Sequence, residues 1–498
     1  MSRYSQEYRV TYLEGLVDGV TQTASGTPKT AFGESSVAEN TAFIQSTAVY
    51  NLIPSNFRSY TNLSGTTSAS GRTFICTTGT TVYGYGAIQS LRTLNYNAGQ
   101  GGLMRFAGFF PSNTASSWSG IGLLSLSDEF SFGYDGTTFG IWYRRNGEAE
   151  VRTITVTGAA GGATNLTLTL NSVAYTIPLT VGTTALNAYE IATWLNANQS
   201  VWQADQVGST VIISASSDGA KSGTYTYSHA TSTGTIRQDA AGVTKTSTHI
   251  PQASWNQDTL SSWTTALDPA KGNVYQISYQ YLGFGAIRFY IEDPETGEFT
   301  LVHMIKYANT STTTSVHNPS LRFGMYAASV GSTTDISVKC SSVSAFVQGK
   351  VRKTRNPRAT TNTQSVTTTN TNVLTVRNRR TYNSIYNQVE FEPIHLSVSS
   401  ESNQNVIVEI RTNAVFSGST NFTNVGTNLV TDVDTTANTV SNGTLLAAFA
   451  VGAKGTLSQG LTEFEIRIPP SLQFTVSARV TSGAASNVTA TLTYYEDL

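Results

Sequence analysis

The chain has 498 residues, enough for about three domains of roughly 150 residues with their own cores. Charged residues make up only 12% of it, against about 25% in an ordinary soluble protein, and aromatic residues reach 10%. This composition excludes a disordered or collagen-like chain, and the formal net charge of −1 gives no field that would steer the whole protein towards nucleic acid or an anionic membrane.

The start of the chain shows little core pattern, and we interpret residues 1–45 as an N-terminal docking arm. The first ten residues lack the apolar stretch of a signal peptide, so export by an N-terminal signal is not expected. The longest apolar run near the other end, Leu445 to Val451, is far shorter than the ~20 residues of a membrane span. We therefore expect no membrane insertion.

Short apolar strands alternate with Gly, Asn and Ser turns from residue 46 to 150. The strongest local signal is Asp135-Gly136 between two aromatic runs, which predicts a tight hairpin. The same style returns over residues 246–349, where Tyr and Ile between 275 and 281 alternate with polar residues, as in a strand with one buried face. We predict that 46–150 and 246–349 form one split, lectin-like β-sandwich.

Residues 151–245 read as a small α+β module inserted at a surface loop of that sandwich. Thr183 or Thr184 can serve as the N-cap of a helix. Five apolar residues at helical spacing predict this helix, namely Ala185, Leu186, Tyr189, Ala192 and Leu195.

Residues 350–380 read as a basic, Thr/Asn-rich linker, and residues 381–498 as a second antiparallel sandwich. The predicted fold class is therefore mainly β, with two antiparallel sandwiches of jelly-roll or lectin-like type, the first interrupted by the α+β insertion. The basic residues of the linker indicate a solvated linker or an electrostatic docking strip for an acidic neighbour in preference to a nucleic-acid site, and no specific nucleic acid is expected as a partner. They are Lys350, Arg352, Lys353, Arg355 and Arg358.

Metal chemistry finds little support in the sequence. Cys76 and Cys340 can pair or stay free, and neither has metal-ligand spacing. His303 shares a strand face with apolar residues, which indicates a hydrogen-bonded core histidine. The histidines are scattered singly, so no metal or cofactor is expected: His229, His249, His303, His317 and His395.

Carboxylates cluster around the first hairpin, as glycoside hydrolysis would require. However, Asp135 is explained by the turn that it makes, and Glu148 and Glu150 by solvent-facing strand ends. Asp432 and Asp434 fall short of the oxygen shell of a hard cation. We therefore predict no catalytic residue and no enzyme, although the cluster remains the candidate site of a polysaccharide depolymerase: Asp128, Glu129, Asp135, Glu148 and Glu150.

Aromatic platforms for sugar rings are a further class of site that no motif identifies. Tryptophans in such chains are more often core residues or loop anchors, and both roles stay open here. The candidate glycan contacts are Trp118, Trp142, Trp255 and Trp263.

Several short motifs spread over most of the chain carry a family resemblance. They are Phe32-Gly33-Glu34 with Glu39 to Gln45, Leu94 to Gly101, Phe132 to Ile141, Tyr281 to Gly285 with Leu301-Val302-His303, Gly443 to Leu446, Pro469-Pro470 and the ending Thr493 to Glu496. These stretches resemble structural proteins of tailed phages, especially marine ones, and of large algal DNA viruses. The resemblance implies a virion component of tail, fibre, vertex or minor capsid type, built from jelly-roll or lectin-like sandwiches and without catalytic residues.

The predicted insertion carries a resemblance of its own. Tyr175 to Leu179 and Ala188 to Ala192 are similar to parts of small modules of phage tail proteins. This implies a tail or vertex location in preference to a place in the shell.

Together these observations predict a viral structural protein that resides in the virion and assembles as a homo-oligomer at the capsid, vertex, fibre or tail. A surface poor in charge carries a low desolvation cost, so it favours broad contacts with copies of itself and with other virion proteins. Host-surface attachment through glycans is a second expected role. The alternatives are a carbohydrate-binding adhesin and, behind it, a polysaccharide depolymerase.

Overall fold

A computed structural model describes residues 40–349, 356–424 and 426–496. Within these residues the fold is mainly β, its sheets are antiparallel, and the buried hydrophobic residues form three separate clusters. By contacts the described chain divides into two compact units, one formed by residues 40–125, 129–143 and 247–349, the other by the remainder.

The first unit is built from two large sheets. An eight-stranded sheet has the order β20-β19-β18-β6-β22-β4-β3, with β1 beside β22, and a seven-stranded sheet has the order β17-β9-β8-β7-β21-β5-β2. These strands are β1 Asn40–Thr47, β2 Phe57–Asn62, β3 Thr66–Ser70, β4 Thr73–Thr77, β5 Tyr85–Ser90, β6 Gly102–Phe109, β7 Ser117–Leu124, β8 Glu129–Asp135, β9 Thr138–Arg145, β17 Thr246–Pro251, β18 Asn273–Tyr279, β19 Ile287–Glu292, β20 Phe299–Ile305, β21 Arg322–Ser329 and β22 Ser337–Gln348.

The core of this unit is aromatic and lies between the inward faces of the two sheets. Phe132 of β8 packs against Tyr275 of β18, with ring centroids 4.8 Å apart, and Phe106 of β6 stacks on the same tyrosine at 5.1 Å. The predicted hairpin forms, because Gly136 adopts a φ of 58° between the neighbouring strands β8 and β9.

Strand β18 differs from the expected strand with one buried face. Its polar residues Gln276 and Ser278 point away from the aromatic core, yet both are buried. Gln276 is buried because the side chain of Arg105 on β6 covers it. The Nε of Arg105 donates to Oε1 of Gln276 at 2.7 Å, and its guanidinium lies over the ring of Phe299. Long side chains therefore cover this outer face.

The predicted docking arm overlaps β1 at its end. Residues 1–39 lie outside the described residues, but Asn40 to Gln45 belong to a strand paired with β22, and Ile44 is buried in the core. For residues 40–45 the arm was the wrong interpretation. A bulge between Ala42 and Ile44 interrupts the alternation of this short strand, so its sequence does not show a clear period of two.

Residues 144–246 form a four-stranded sheet, β13-β14-β10-β16, and a three-stranded sheet, β12-β11-β15, around their own apolar cluster. The strands are β10 Ala149–Gly158, β11 Thr164–Leu170, β12 Val173–Leu179, β13 Trp202–Val207, β14 Thr210–Asp218, β15 Thr226–Ser228 and β16 Thr233–Ala240. By contacts this module belongs with the C-terminal residues in the second unit.

The predicted helix is present as α1, Thr184–Asn198. Thr183 is the N-cap, and its hydroxyl accepts a hydrogen bond from the backbone N–H of Leu186 at 3.1 Å. The buried face is made by Asn187, Ala188, Ile191, Ala192 and Leu195, so it is rotated from the predicted one. None of the helices within the described ranges has the length and hydropathy that crossing a membrane would require.

The C-terminal residues form a four-stranded sheet, β23-β36-β27-β34, and a six-stranded sheet, β30-β31-β24-β35-β28-β33, which enclose the third apolar cluster. The strands are β23 Asn356–Val366, β24 Thr371–Asn378, β25 Thr381–Tyr382, β26 Ile385–Tyr386, β27 Phe391–Ser400, β28 Val406–Thr412, β29 Val415–Phe416, β30 Thr423–Asn424, β31 Thr431–Asp434, β32 Val440–Ser441, β33 Thr444–Val451, β34 Thr456–Gly460, β35 Gln473–Val480 and β36 Ser486–Glu496.

Much of the segment predicted as a linker belongs to this sandwich. Residues 356–366 pair with β36 over their whole length, and residues 371–378 lie between β31 and β35. The interpretation of this part as a linker was wrong, because threonine is β-branched and fits a half-exposed strand as well as a loop. Cross-strand hydroxyl pairs such as Thr363 with Thr489, 2.7 Å apart, use that composition.

Candidate functional site

The outward face of the seven-stranded sheet in the first unit combines aromatic, carboxylate and very small side chains. In β7, Ile121 and Leu123 point into the core, so Trp118 and Gly120 point outward. In β21, Met325 points inward and the residues on either side of it point outward by the same alternation.

One row of residues crosses five neighbouring strands at the end of this face, and we name it the end row. Cross-strand pairing places Asn62 opposite Tyr85, Tyr85 opposite Ala328, Ala328 opposite Trp118, and Trp118 opposite Asp135. Directly paired residues share a sheet face, so all five side chains project together. Since adjacent strands are about 4.8 Å apart, Tyr85 and Trp118 stand about 10 Å apart with only the methyl group of Ala328 between them.

Trp118 is the exposed aromatic residue of the end row, with 38% of its surface accessible. Its indole Nε1 donates to Oδ1 of Asp135 at 3.0 Å, which fixes the ring beside an exposed carboxylate. The indole also meets the ring of Trp142 edge to face, with centroids 5.9 Å apart, and Trp142 in turn contacts His249 at 4.5 Å. The exposed ring is therefore held by a row of aromatic neighbours.

Glycines let these rings lie close to the sheet. Trp142 of β9 donates from Nε1 to the carbonyl of Ser119 on β7 at 3.1 Å, although β8 runs between the two strands. Gly133 stands on β8 at the intervening position, and a Cβ there would come within 1.9 Å of the Ser119 carbonyl oxygen. The aromatic row thus depends on the absence of a side chain at this position.

A buried polar network lies further along the same face. Glu129 accepts at Oε1 from the hydroxyl of Ser131 at 2.5 Å and from the hydroxyl of Tyr326 at 2.9 Å. All three residues are buried, so the carboxylate is held by short charge-assisted bonds. Tyr326 also lies across Gly120, where a Cβ would come within 2.7 Å of the ring. This buried network lies next to the end row on the outward face of the sheet.

The four predicted tryptophans fall into different environments. Trp142 and Trp255 are buried, so neither ring has an accessible face for a ligand. The prediction that these two residues contact glycans was therefore wrong. Trp255 packs edge to face on Phe132 and belongs to the core instead. Trp263 is half-buried against the same core. Trp118 remains the accessible candidate.

Tyr85, Ala328 and Asn62 are members of the end row that sequence reasoning missed. No local pattern links them, because residues 62, 85, 118, 135 and 328 meet only through strand pairing across most of the unit. The one local signal was the Asp135-Gly136 turn, which places a carboxylate at a strand end.

The predicted basic docking strip lies mostly outside the described residues, which leaves Lys350, Arg352, Lys353 and Arg355 without a structural account. Arg358 belongs to β23, and its Nε lies 3.7 Å from Oε2 of the buried Glu496. Burial raises the pKa of that carboxyl group above its ordinary value, and the hydrogen bond from Thr431 and the nearby arginine offset this only in part.

Metal ligation has no centre in the described ranges, where no three His, Cys, Asp or Glu side chains lie together as a metal site would require. Asp432 accepts hydrogen bonds from Arg377 and Arg379 at 2.9 and 2.7 Å, so it is used in ion pairs. His303 is the hydrogen-bonded core residue that the sequence predicted: its Nδ1 accepts from the N–H of Asn256 at 3.2 Å, and burial lowers its pKa.

Both cysteines are buried free thiols, one of the two states that the sequence allowed. Burial raises the pKa of both, that of Cys340 to about 12, which keeps them protonated and unreactive.

Four of the five carboxylates near the first hairpin make structural contacts, those of Glu129 being the network described above. The fifth, Glu148, was expected to face solvent and is half-buried. Asp128 accepts at Oδ1 from the N–H of Asn146 at 3.1 Å, and Asp135 holds Trp118. Glu150 differs from its expected solvent-facing position: it is fully buried, pairs with Arg152 at 2.6 Å and accepts from the N–H of Lys221 at 2.6 Å.

No family model and no curated protein match this sequence. Among solved structures, the chain is similar to the metal-free carbohydrate recognition domain of Emp46p, at 8% identity over 60% of this chain and 90% of that one, with a TM-score of 0.22. It is also similar to lectin I-B4 from Griffonia simplicifolia, at 9% identity over 61% and 99%, with a TM-score of 0.22. The triple jelly-roll protein of an archaeal virus turret matches at 6% identity over 89% and 90%, with a TM-score of 0.16. At these scores the similarities carry no argument about what this chain binds.

Proposed function

We propose that this chain is a structural protein of a virus particle whose first unit binds neutral glycans through the end row. The observation that carries the glycan-binding role is the in-register placement of Tyr85, Ala328, Trp118 and Asp135 across four adjacent strands. Binding sites of this kind combine apolar surface with a few fixed polar groups.

Three members of the end row each supply one part of that recognition. The exposed face of Trp118 offers an apolar platform to the C–H face of a sugar ring. Asp135 offers carboxylate oxygen to ring hydroxyl groups, and charge-assisted hydrogen bonds are the stronger ones. Ala328 leaves the gap between Tyr85 and Trp118 open for the edge of the ring.

A glycan array probed with the full chain tests this role. We expect binding to a subset of neutral glycans, and we expect Trp118→Ala to weaken it about tenfold or more, because an aromatic stacking partner contributes about 1.5 kcal/mol. Tyr50→Ala is the matched control, since Tyr50 is 80% exposed and lies beyond the far end of β2 from the end row. No glycan binding by the parent chain, or equal binding by the Trp118 variant, would contradict the proposal.

The virion role is supported by the viral resemblance of the sequence motifs and by the low charge of the chain. We propose copies of itself and other virion proteins as partners, and the capsid, vertex, fibre or tail as its place, with host-surface attachment as the purpose of the glycan site. Mass spectrometry of purified particles, together with the native mass of the recombinant chain, tests this. A monomeric chain that is absent from particles would contradict the virion role while leaving the glycan result intact.

We propose no enzymatic role, so the depolymerase alternative is set aside. Three of the five carboxylates around the first hairpin are engaged in bonds with Trp118, Tyr326 and Arg152. Release of reducing sugar from a polysaccharide that the chain binds, lost in Asp128→Asn or Glu129→Gln, would overturn this.

A further inference from the structure

The edge strand β33 lacks two of the features that keep an edge strand from pairing with another strand, namely a charged residue and a proline. It is the last strand on its side of the six-stranded sheet within the described residues, with β28 as its neighbour. Its sequence, TLLAAFAV, contains no charged residue and no proline. An edge strand presents a row of backbone N–H and C=O groups that another strand can pair with.

Within the described residues, each of the other three edge strands of this sandwich is shorter than the eight residues of β33 or carries a proline and a charged residue. Strand β30 is two residues long, and β34 is five. Strand β23 begins Asn356-Pro357-Arg358, which places a proline and a charge at that edge. Strand β33 is therefore the exception, and its exposed Leu445 adds apolar surface to it.

We infer that β33 pairs with β33 of a second copy of this chain to form a two-fold symmetric dimer. This deepens the assembly role proposed above and does not depend on glycan binding. The partner is a second copy because the strand is neutral along its whole length, so that antiparallel self-pairing sets no like charges opposite one another. Such a contact is isologous and closes at two copies.

The pairing with β28 fixes the centre of this contact. Strand β33 has a bulge at Leu446, since Ala447 pairs with Ile410 and Leu445 with the next residue, Arg411. The regular part is therefore Ala447–Val451, and Phe449 is its midpoint. A two-fold axis at Phe449 pairs all five regular residues and leaves the bulge outside.

The side chains fit this arrangement on both faces of the strand. Phe449 and Ala447 pack against the core of the sandwich, so their places beside the second copy continue an apolar layer. Ala448 and Ala450 are exposed on the opposite face, and the two-fold axis sets Ala448 of each copy opposite Ala450 of the other. Methyl groups at these positions allow close approach of the two strands.

Charged substitutions on the exposed face test the inference in the full chain. The double variant Ala448→Lys with Ala450→Lys would place like charges opposite one another twice, and we expect it to weaken dimerisation at least about tenfold by analytical ultracentrifugation. The matched control is Thr456→Lys on β34, which is also exposed, and which we expect to leave the dimer unchanged.

A mixture of oppositely charged variants gives a sharper test of this pairing than either variant alone. The variant Ala448→Glu with Ala450→Glu should also be monomeric, whereas an equimolar mixture of the Lys and Glu variants should recover a dimer that contains one chain of each. Because Glu409 is the cross-strand neighbour of Ala448 within one copy, the thermal unfolding midpoint of each variant is compared with that of the parent chain.

The outcomes separate this inference from the proposed function. A parent oligomer that the Lys variant leaves unchanged would overturn the role of β33 and leave assembly through other surfaces standing. A parent chain that is monomeric at every concentration would overturn both the pairing of β33 and the proposed self-assembly of the chain. Glycan binding, read on the same samples, reports the first unit alone.

Discussion

Tyr326 makes two kinds of contact on the outward face of the seven-stranded sheet. Its ring lies across Gly120, and its hydroxyl is one of two that hold the buried carboxylate of Glu129. A buried charge that loses such a donor is left short of a partner, which costs more than an ordinary hydrogen bond. The stability of the buried network next to the end row should therefore depend on single hydroxyl groups.

Removal of the Tyr326 hydroxyl tests this sensitivity. We expect Tyr326→Phe to lower the free energy of unfolding by about 2 kcal/mol, as for the loss of a hydrogen bond to a charged group. Chemical denaturation followed by tryptophan fluorescence measures it. Tyr60→Phe on the same face is the control, because the Tyr60 hydroxyl meets Arg58 only at 3.5 Å near the surface, and it should change little. Equal effects of the two substitutions would contradict the assignment.

Glu496 gives a prediction for pH. Burial raises the pKa of this carboxyl group above its ordinary value of 4.5, so the folded chain binds its proton more readily than the unfolded chain. The resulting stabilisation is full below about pH 4.5 and is lost as the pH rises through the higher folded value. The stability of the parent chain relative to Glu496→Gln should therefore increase as the pH falls from 7 to 4.5. A difference that moves in the opposite direction would contradict the raised pKa.

At the scale of elements, local signals predicted the features that are local in origin. The hairpin at Asp135-Gly136 follows from turn chemistry, and α1 follows from apolar spacing after a threonine cap. The end row could not be predicted in this way, since its members are brought together by the register of five strands. The mainly β fold was predicted correctly, whereas β23 was missed because a Thr/Asn tract fits a loop and a strand alike.

The cap of α1 can be tested alone. Thr183→Ala removes the acceptor for the N–H of Leu186, and we expect a loss of about 1 kcal/mol in stability. Thr193→Ala, at an exposed position within the same helix, is the control and should be neutral or slightly stabilising, because alanine is the better helix former. Urea unfolding monitored by circular dichroism measures both. A larger loss for the control would contradict Thr183 as the cap.

At the scale of the second unit, the α+β module is fastened to the C-terminal sandwich. Arg377 of β24 donates to the carbonyl of Gln206 at 2.8 Å and to Asp432 at 2.9 Å, and its guanidinium lies over the ring of Phe422 at 3.9 Å. The N–H of Gly208 donates to the carbonyl of Phe422 at 2.9 Å. One arginine therefore ties a strand of the module to two strands of the sandwich.

Loss of the Arg377 contacts should loosen the attachment of the module at β13, where other hydrogen bonds such as that from the N–H of Arg380 to Asp205 remain. We expect Arg377→Ala to cost about 3 kcal/mol, since it leaves Asp432 buried with fewer partners, and to speed amide hydrogen exchange in β13. Arg411→Ala, which breaks the more exposed pair with Glu409, is the control and should leave exchange in β13 unchanged. Unaltered exchange in β13 of the Arg377 variant would show that the module is held by other contacts.

The glycines at positions 120 and 133 of the seven-stranded sheet tolerate substitution less well than the outward residues of the end row. A methyl group added at Gly120 or Gly133 would enter a tyrosine ring or a carbonyl oxygen, whereas Asn62, Ala328 and Asp135 project outward from strand ends. Related chains could therefore exchange these outward residues while the two glycines stay fixed. Homologous sequences aligned over this sheet should therefore vary at positions 62, 135 and 328 and keep glycine at positions 120 and 133.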